Sequence, residues 1–173
     1  MRFITITLTL AILVFSTCCR KSKENTDGRV FYTGDQFCMG ADLSYVNQIL
    51  EKGGVYRDSG QVQDPYHIFS EYGTNVVRLR LFHNPEWTMS VYSPPGNKMY
   101  NDFNDVKKSI ERAKAEGMKV CLDFHYSDTW ADPSKQQKPA AWQSLSLSLL
   151  RDSLYNYTFS TLRKLDLAGL MPE

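Results

Sequence analysis

The chain has 173 residues, of which 42% are hydrophobic and 23% are charged, and its formal net charge at pH 7 is +1. This length and hydrophobic content predict one globular unit with enough apolar side chains for a core. The near-zero net charge gives no indication of a nucleic-acid partner.

The amino-terminal stretch is typical of an export signal. Arg2 gives a short basic start, residues 3–15 are apolar apart from threonines, and two small residues come directly before Cys18. The apolar run is too short for a transmembrane helix, which needs about 20 residues. The pattern resembles a bacterial lipoprotein signal, so Cys18 is the expected lipidation site.

We therefore expect residues 1–18 to be a lipoprotein signal peptide, with Cys19 as the alternative site of lipid attachment. Residues 19–34 are polar and charged and lack periodicity, which predicts a flexible tether between membrane and domain. The protein would be exported and held by its lipid at the bacterial cell envelope, or as an outer-membrane lipoprotein.

The first predicted strand covers residues 37–43, and Asp42 lies at its carboxyl end. Ser44 is the expected cap of a helix over residues 45–51. Residues 55–62, with aspartate, serine and glycine in the middle, fit a turn or a small hairpin.

A second helix is predicted over residues 66–72, with Asp64 as its cap and Pro65 at its first position. A second strand follows over residues 75–82. The long loop over residues 88–100 is typical of a functional face.

The second strand places two arginines on one face. Arg78 and Arg80 alternate with apolar residues that share the other face. In an open antiparallel sheet these arginines would contact water, whereas in a parallel sheet covered by helices they need anionic partners. Polar and aromatic residues follow at the carboxyl end of the strand, among them His83, Asn84 and Trp87.

Two long helices are predicted in the second half of the chain. Residues 102–116 show a helical spacing of apolar residues and end at Gly117. Residues 147–167 form the other helix, and Gly169 ends it. The expected inner stripe of that helix is Leu150, Leu154, Tyr157, Leu162 and Leu165.

Between these helices, residues 119–133 combine a buried-strand pattern with a polar and aromatic end. Asp123 and His125 share one face of the strand, and Asp128 and Trp130 extend the polar stretch into the loop. An acid and an imidazole at the end of an apolar strand are costly to bury, which favours a ligand site. The structural alternative is a buried pair, with the tryptophan packed under the loop.

The remaining cysteines, Cys38 and Cys121, fall within predicted strands. No distance between them follows from the sequence. We expect two buried thiols, and a disulfide is the alternative for an exported protein.

The order strand, helix, strand, helix, strand, helix, with polar residues after each strand, predicts a parallel α/β fold. No glycine-rich phosphate loop follows any strand, which argues against a nucleotide-binding doubly wound sheet. We therefore predict a (β/α)8 TIM barrel. A full barrel takes about 250 residues, so residues 35–173 would supply its first three strand-helix units and end before the fourth strand.

Three ordered motifs carry a resemblance to a known family: GADLS, VVRLRLFHNP and AKAEGMKVCLDFHYSDTWADP. They resemble the microbial arabinogalactan endo-β-1,4-galactanases, which are glycoside hydrolases of clan A. The resemblance implies retaining hydrolysis of β-1,4-linked galactan or arabinogalactan by two glutamates, without a cofactor or a metal. The two carboxyl groups of a retaining enzyme lie about 5 Å apart.

The resemblance implies an acid and base glutamate after the fourth strand and a nucleophile after the seventh. Neither would lie in this chain, since Glu173 corresponds to the beginning of the fourth strand, and the chain alone would be inactive. Arg78 corresponds to an arginine that keeps the nucleophile ionised. Trp130 would stack on a galactose ring, with Trp87 as a second candidate, whereas Trp142 is expected to pack. The other implied polar site residues are Asp42, Asn84, His125 and Asp128.

Two further hypotheses stand beside this one. The protein could be a non-catalytic surface lipoprotein that binds a glycan or another partner, or another clan A glycosidase such as a mannanase. The DNA beyond the codon for Glu173 discriminates between enzyme and binding protein. Continuation into a strand that ends in Asn-Glu supports the enzyme, and an early stop weakens it.

We expect Cys18→Ala to abolish incorporation of a labelled fatty acid into the protein in its native host, because the lipid is attached to that thiol. Metabolic labelling of the wild type and of the Cys18→Ala and Cys19→Ala variants measures this. Equal labelling of the wild type and Cys18→Ala would contradict the assignment, and loss of label in Cys19→Ala alone would move the site to Cys19.

Overall fold

The computed structural model describes residues 37–172 of the chain. The predicted signal peptide over residues 1–18, its Cys18, and the predicted tether over residues 19–34 lie outside the described residues. Within residues 37–172 no helix is both long and apolar enough to cross a membrane.

The described residues form a three-stranded sheet, a two-stranded sheet and four α-helices. The strands are β1 (Gly40–Asp42), β2 (Arg57–Asp58), β3 (Gln61–Val62), β4 (Val76–Phe82) and β5 (Lys119–His125). The helices are α1 (Val46–Glu51), α2 (Pro65–Glu71), α3 (Phe103–Ala115) and α4 (Leu147–Leu167), with short 3-10 helices at Glu86–Ser90 and Ala140–Trp142.

The three-stranded sheet is parallel, in the order β1, β4, β5, as the alternation of strands and helices predicts. Asp42 of β1 pairs with Arg78 of β4, and Arg80 and Phe82 of β4 pair with Asp123 and His125 of β5. All three strands run in the same direction, so their carboxyl ends meet at one edge. This register brings the polar ends of the strands together.

One face of the sheet forms the core with the helices. The apolar residues of β4 that alternate with the arginines are buried, and so is Val120 of β5. Helix α3 packs on β4 and β5, and α4 contributes Leu165. The arginines therefore lie on the opposite face of the sheet. Among residues 37–172, no helix packs on that face as α3 packs on the core face. The apolar centre includes Val77, Leu79, Leu81, Val106, Ile110, Ala113, Met118 and Leu165.

The predicted hairpin over residues 55–62 is confirmed. β2 and β3 pair antiparallel, and the two residues between them, Ser59 and Gly60, have φ angles of 48° and 80°. Positive φ at both central positions is typical of a type I′ turn, whose twist matches that of two antiparallel strands.

Two helices begin at a capping aspartate, and the sequence predicts one of these caps, Asp64. Asp64 accepts a hydrogen bond from the backbone N of Tyr66 at 2.8 Å, and Pro65 takes the first position of α2. Asp102 caps α3 by accepting from the backbone N of Asp105 at 2.9 Å. These bonds satisfy N–H groups that have no partner within the helix.

The predicted cap of α1 is wrong. Tyr45 occupies the cap position without a side-chain hydrogen bond. The Ser44 hydroxyl instead donates to Asp42 Oδ1 at 2.6 Å and accepts from the backbone N of Arg80 at 3.0 Å. A hydrogen bond to a carboxylate is stronger than one to a neutral backbone group, so the serine binds the sheet instead of the helix.

Helix α4 has the predicted bounds, but its inner face differs from the predicted stripe. Leu165 is buried, whereas Leu154 is 38% exposed, so the assignment of Leu154 to the inner face is wrong. Thr161 is buried instead. Tyr157, Thr161 and Leu165 follow each other at intervals of four residues and form one line along the helix. Leu154 lies seven residues before Thr161, on the same side of the helix, but this earlier part of the helix leaves it exposed.

Both cysteines of the predicted strands are free and exposed, so the expectation of buried thiols is wrong and the alternative disulfide is also not formed. Cys121 shares the face of β5 with Asp123 and pairs with Arg78 across the sheet. It is exposed because this face, unlike the core face, carries no helix among the described residues.

Asp105 is buried near the start of α3 and joins two neighbouring segments. One carboxylate oxygen accepts from the backbone N of Asn101 at 2.8 Å, and the other accepts from the side-chain amide of Asn47 at 3.0 Å. Burial raises the pKa of this carboxyl above its ordinary value, although both hydrogen bonds lower it. The folded state therefore favours the protonated carboxyl more than the unfolded chain does.

We expect the contribution of Asp105 to the free energy of unfolding to be greatest below its unfolded pKa, and to decline as the pH rises through its higher folded pKa. Asp105→Asn cannot titrate. In urea unfolding the wild type should therefore lose stability relative to this variant from about pH 4 upwards. Asp152→Asn, at an exposed carboxylate, is the control. A difference between wild type and Asp105→Asn that is the same at every pH would contradict the prediction.

Candidate functional site

A cluster of charged side chains occupies the open face of the sheet at the carboxyl ends of the three strands. We call Asp42, Arg78, Arg80, Asp123 and His125 the carboxyl-edge cluster. Asp42 Oδ2 accepts from Arg78 Nη1 at 3.1 Å, and Arg78 Nη2 forms an ion pair with Asp123 Oδ2. His125 Nε2 lies 3.1 Å from the same Asp123 oxygen. The sequence expectation that the strand arginines need anionic partners is therefore met.

Arg78 lies between two carboxylates and keeps part of its surface free. Burial lowers the pKa of its guanidinium, but the hydrogen bond that it donates to Asp123 and the charges of Asp123 and Asp42 outweigh burial and raise the pKa. Its side chain is 46% exposed. Arg78 is thus a fixed cation whose position is set from two sides and whose remaining surface can meet a further anion or a polar ligand.

Asp42 uses both carboxylate oxygens to hold neighbouring groups. Oδ2 accepts from Arg78 and also pairs with Arg80 Nη2 at 2.6 Å. Oδ1 accepts from the backbone N and the hydroxyl of Ser44, at 3.1 and 2.6 Å. With four donors on one carboxylate, Asp42 positions the two arginines and is not free to act as an acid or a base.

One ring nitrogen of His125 has a hydrogen-bond partner, and the other has none among the described residues. Asp123 can only accept, so the proton of the neutral ring lies on Nε2, which faces that carboxylate. Nδ1 is buried and has no hydrogen-bond partner among the described residues. The ring packs against Phe82, with 4.7 Å between ring centroids, and lies 6.0 Å from the ring of Trp130.

Trp130 lies in the loop after β5, at the rim of the cluster. Its ring is 41% exposed, and the guanidinium of Arg80 lies 4.9 Å from the ring centroid. An exposed indole beside a polar cluster is suited to stacking on a flat ligand face. The other two tryptophans differ: Trp142 is buried, as expected for packing, and Trp87 contacts the ring of Phe82 edge-on.

Two of the predicted site residues form hydrogen bonds that lead away from the cluster. Asp128 Oδ1 lies 3.2 Å from His83 Nδ1, and Asp128 Oδ2 accepts from the backbone N of Ala140 at 2.7 Å. Asn84 donates to Glu86 Oε1 at 3.0 Å. Asp128 therefore ties the end of β4 to the loop before α4, which is a structural task.

Asp123 and His125 lie together at the site, as strand alternation predicts, whereas two other residues of the site were not among the predicted ones. Arg80 could have been included, because strand alternation places it on the same face as Arg78. Ser44 gave no such signal, since a serine before a helical pattern is also the usual sign of a cap. Its hydrogen bonds to Asp42 and Arg80 depend on how close β1 lies to β4, which the sequence does not give.

An open cleft of about 510 Å³ runs along β5 beside the cluster. It brings Arg78, Asp123 and His125 together with polar residues of the loop that follows the strand. Within residues 37–172, no group of three or more His, Cys, Asp or Glu side chains is arranged to hold a metal ion. The loop residues that line the cleft include Ser127, Asp132, Gln136, Gln137 and Lys138.

Comparison with solved structures identifies the fold class. The chain is similar to an Ignisphaera aggregans GH53 catalytic domain, with a TM-score of 0.69 and 38% identity, over 79% of this chain and 37% of that one. It is also similar to a structure described as two fungal beta-1,4-galactanases, with a TM-score of 0.68 and 36% identity, over 78% of this chain and 37% of that one. These neighbours are (β/α)8 barrels, so the described residues form part of such a barrel, as predicted.

The family model "Glycosyl hydrolase family 53" matches residues 38–173, and the chain belongs to this family. It is 47% identical over 138 residues to the Arabinogalactan endo-beta-1,4-galactanase of Cellvibrio japonicus, covering 79% of this chain and 34% of that protein. It is 43% identical over 139 residues to the Endo-beta-1,4-galactanase of Bacillus subtilis, covering 78% of this chain and 31% of that protein. The chain thus spans about a third of the length of these curated relatives.

We expect Ser44→Ala to lower the free energy of unfolding by about 1 to 3 kcal/mol, because the partly buried backbone N–H of Arg80 loses its acceptor. Ser134→Ala is the matched control, since the Ser134 hydroxyl also donates to an aspartate, Asp132, at 2.6 Å but on an exposed loop. That control should cost less than about 0.5 kcal/mol. Urea unfolding of both variants is the measurement, and equal losses would contradict the role assigned to Ser44.

Proposed function

We propose that this protein hydrolyses β-1,4-galactosidic linkages in galactan or arabinogalactan. Membership of glycosyl hydrolase family 53 and the names of the relatives support this substrate class. The single observation that carries the proposal is the position of Arg78, a fixed and partly exposed cation at the carboxyl ends of barrel strands. In (β/α)8 enzymes this end of the barrel holds the catalytic groups.

The proposed reaction is retaining hydrolysis by two glutamates. One carboxylate attacks the sugar while the other protonates the leaving oxygen, and a separation of about 5 Å permits both steps. We place the acid and base after the fourth strand and the nucleophile after the seventh, beyond the elements described. The described residues then contribute sugar binding and electrostatic support, and the 173-residue chain alone is expected to be inactive.

Arg78 has the properties that a support for the nucleophile requires. A nearby cation lowers the pKa of a carboxylate and so keeps it able to attack. Asp42 and Asp123 raise the pKa of the Arg78 guanidinium, so they favour its charged form. Because the two aspartates hold Arg78 from the sides, its free surface can face the nucleophile without reorganising during the reaction.

Trp130 is the proposed platform for a galactose ring. Its exposed indole can pack on the C–H face of a sugar, a contact whose strength we take as about 1 kcal/mol from other aromatic pairs. Polar loop residues of the adjacent cleft can bind hydroxyl groups. Asn84 and Asp128 support this region from a distance.

We also propose that the enzyme is exported and attached to the membrane through a lipid on Cys18. This rests on the amino-terminal sequence pattern. Polysaccharides are too large to cross a membrane freely, so a surface location would place the enzyme where its substrate is. The net charge of only +1 gives no indication of a nucleic-acid partner.

Arg78→Lys should reduce turnover on linear β-1,4-galactan by on the order of a hundredfold, with a much smaller change in KM. Lysine keeps the charge but loses the planar arrangement of donors that Asp42 and Asp123 hold. The measurement is release of reducing sugar by the native gene product that contains the two proposed glutamates. Unchanged turnover would mean that Arg78 is a structural charge, and hydrolysis of β-1,4-mannan in place of galactan would favour the mannanase hypothesis.

Trp130→Ala should instead raise KM on galactan by about fivefold and leave turnover nearly unchanged, because it removes a contact made equally in the ground state and the transition state. The same reducing-sugar assay measures this. Trp142→Phe, at the buried tryptophan, is the control for general effects on folding. A fall in turnover at constant KM would contradict the role of Trp130 as a binding platform.

A further inference from the structure

The two arginines of β4 have different surroundings although they share one face of the strand. The side chain of Arg78 is 46% exposed and pairs with two aspartates. The side chain of Arg80 is 14% exposed and, among the described residues, forms an ion pair only with Asp42, at 2.6 Å. The guanidinium of Arg80 lies between two aromatic rings, 4.9 Å from the centroid of Trp130 and 5.5 Å from that of Tyr45.

We infer that Arg80 is a positioning residue that fixes the indole of Trp130 as a sugar platform. This inference rests on the proposed function for its ligand, a β-1,4-linked galactose ring. The guanidinium lies over one face of the indole, and Trp130 is 41% exposed, so we assign stacking to the opposite face. A guanidinium over an indole face attracts the ring quadrupole, most strongly when it is shielded from water, as it is here.

The hydrogen bonds of Arg80 explain why its guanidinium can serve as a fixed support. Asp42 Oδ2 holds Nη2, and Asp42 is itself held by Ser44. The backbone N of Arg80 donates to the Ser44 hydroxyl at 3.0 Å, which fixes the strand at this residue. The carboxylate, the serine and the strand together determine where the guanidinium lies, and the loop residue Trp130 packs on it.

The Nε atom of Arg80 indicates that this arrangement has a role other than stabilising the fold. That atom is buried and has no hydrogen-bond partner among the described residues. An unsatisfied buried donor costs free energy, and a smaller apolar residue would avoid the cost. The planar group is nonetheless placed between Trp130 and Tyr45, where lysine could pair with Asp42 but could not cover the indole.

The test is the ¹⁹F NMR signal of Trp130 in the full chain labelled with 5-fluorotryptophan. The chain has three tryptophans, and Trp130→Phe identifies the signal. We expect Arg80→Lys and Arg80→Met to shift and broaden the Trp130 signal and to leave the signal of Trp142 in place. The conservative lysine variant keeps the test valid if the methionine variant does not fold. An unmoved Trp130 signal in Arg80→Lys would overturn the inference.

A matched control is available within the chain. The guanidinium of Arg112 lies 4.5 Å from the ring centroid of Tyr66 and pairs with Asp64 at 2.9 Å, so it makes the same two kinds of contact away from the cluster. Arg112→Lys should leave the Trp130 signal unchanged. A shift of equal size in Arg112→Lys would show that the signal reports general loosening of the fold, which would also overturn the inference.

Binding of β-1,4-galactotetraose, measured by calorimetry on the native gene product, connects the signal to function. We expect Arg80→Lys to weaken binding by roughly threefold to tenfold, which is the scale of one cation–π contact, with a smaller effect on turnover. In Trp130→Ala, the further change Arg80→Lys should have no added effect, and additive losses would overturn the inference. If the wild type neither binds nor hydrolyses galactan, the proposed function fails, while the NMR signal still decides the role of Arg80.

Discussion

The charge of two arginines on the uncovered face of a parallel sheet is the constraint on which the site depends. A guanidinium partly removed from water is stable only beside an anion, and each arginine of β4 finds one across the strands. Asp42 forms ion pairs with both arginines, and Asp123 forms one with Arg78. These ion pairs neutralise the arginines and also fix the positions of the side chains. The pairs that stabilise the partly buried charges therefore also order the site.

The parallel register turns this local requirement into a shared site. Asp42 lies opposite Arg78 and pairs both with it and, diagonally, with Arg80. Asp123 lies opposite Arg80 and pairs diagonally with Arg78. Because parallel strands end together, loop residues such as Trp130 can pack onto the cluster. Arg78 and Arg80 then acquire different tasks: one keeps an open surface, and the other is covered by aromatic rings.

Much of this arrangement follows from local pattern. Strand alternation predicted that the arginines share a face and need anions, and the cap Asp64 predicted where α2 begins. The errors concern residues whose role depends on a neighbour distant in sequence. Ser44 binds Asp42 and Arg80 instead of capping a helix. Cys121 is exposed because its face carries no helix among the described residues.

A crystal structure of the native gene product with bound β-1,4-galactotetraose tests the central claim most directly, namely that the carboxyl-edge cluster is the functional site. We expect one galactose ring to stack on the face of Trp130 opposite Arg80, and the exposed side of Arg78 to face the sugar bound next to it. An oligosaccharide bound elsewhere, such as in the apolar groove between Trp142 and the first turns of α4, would contradict this assignment.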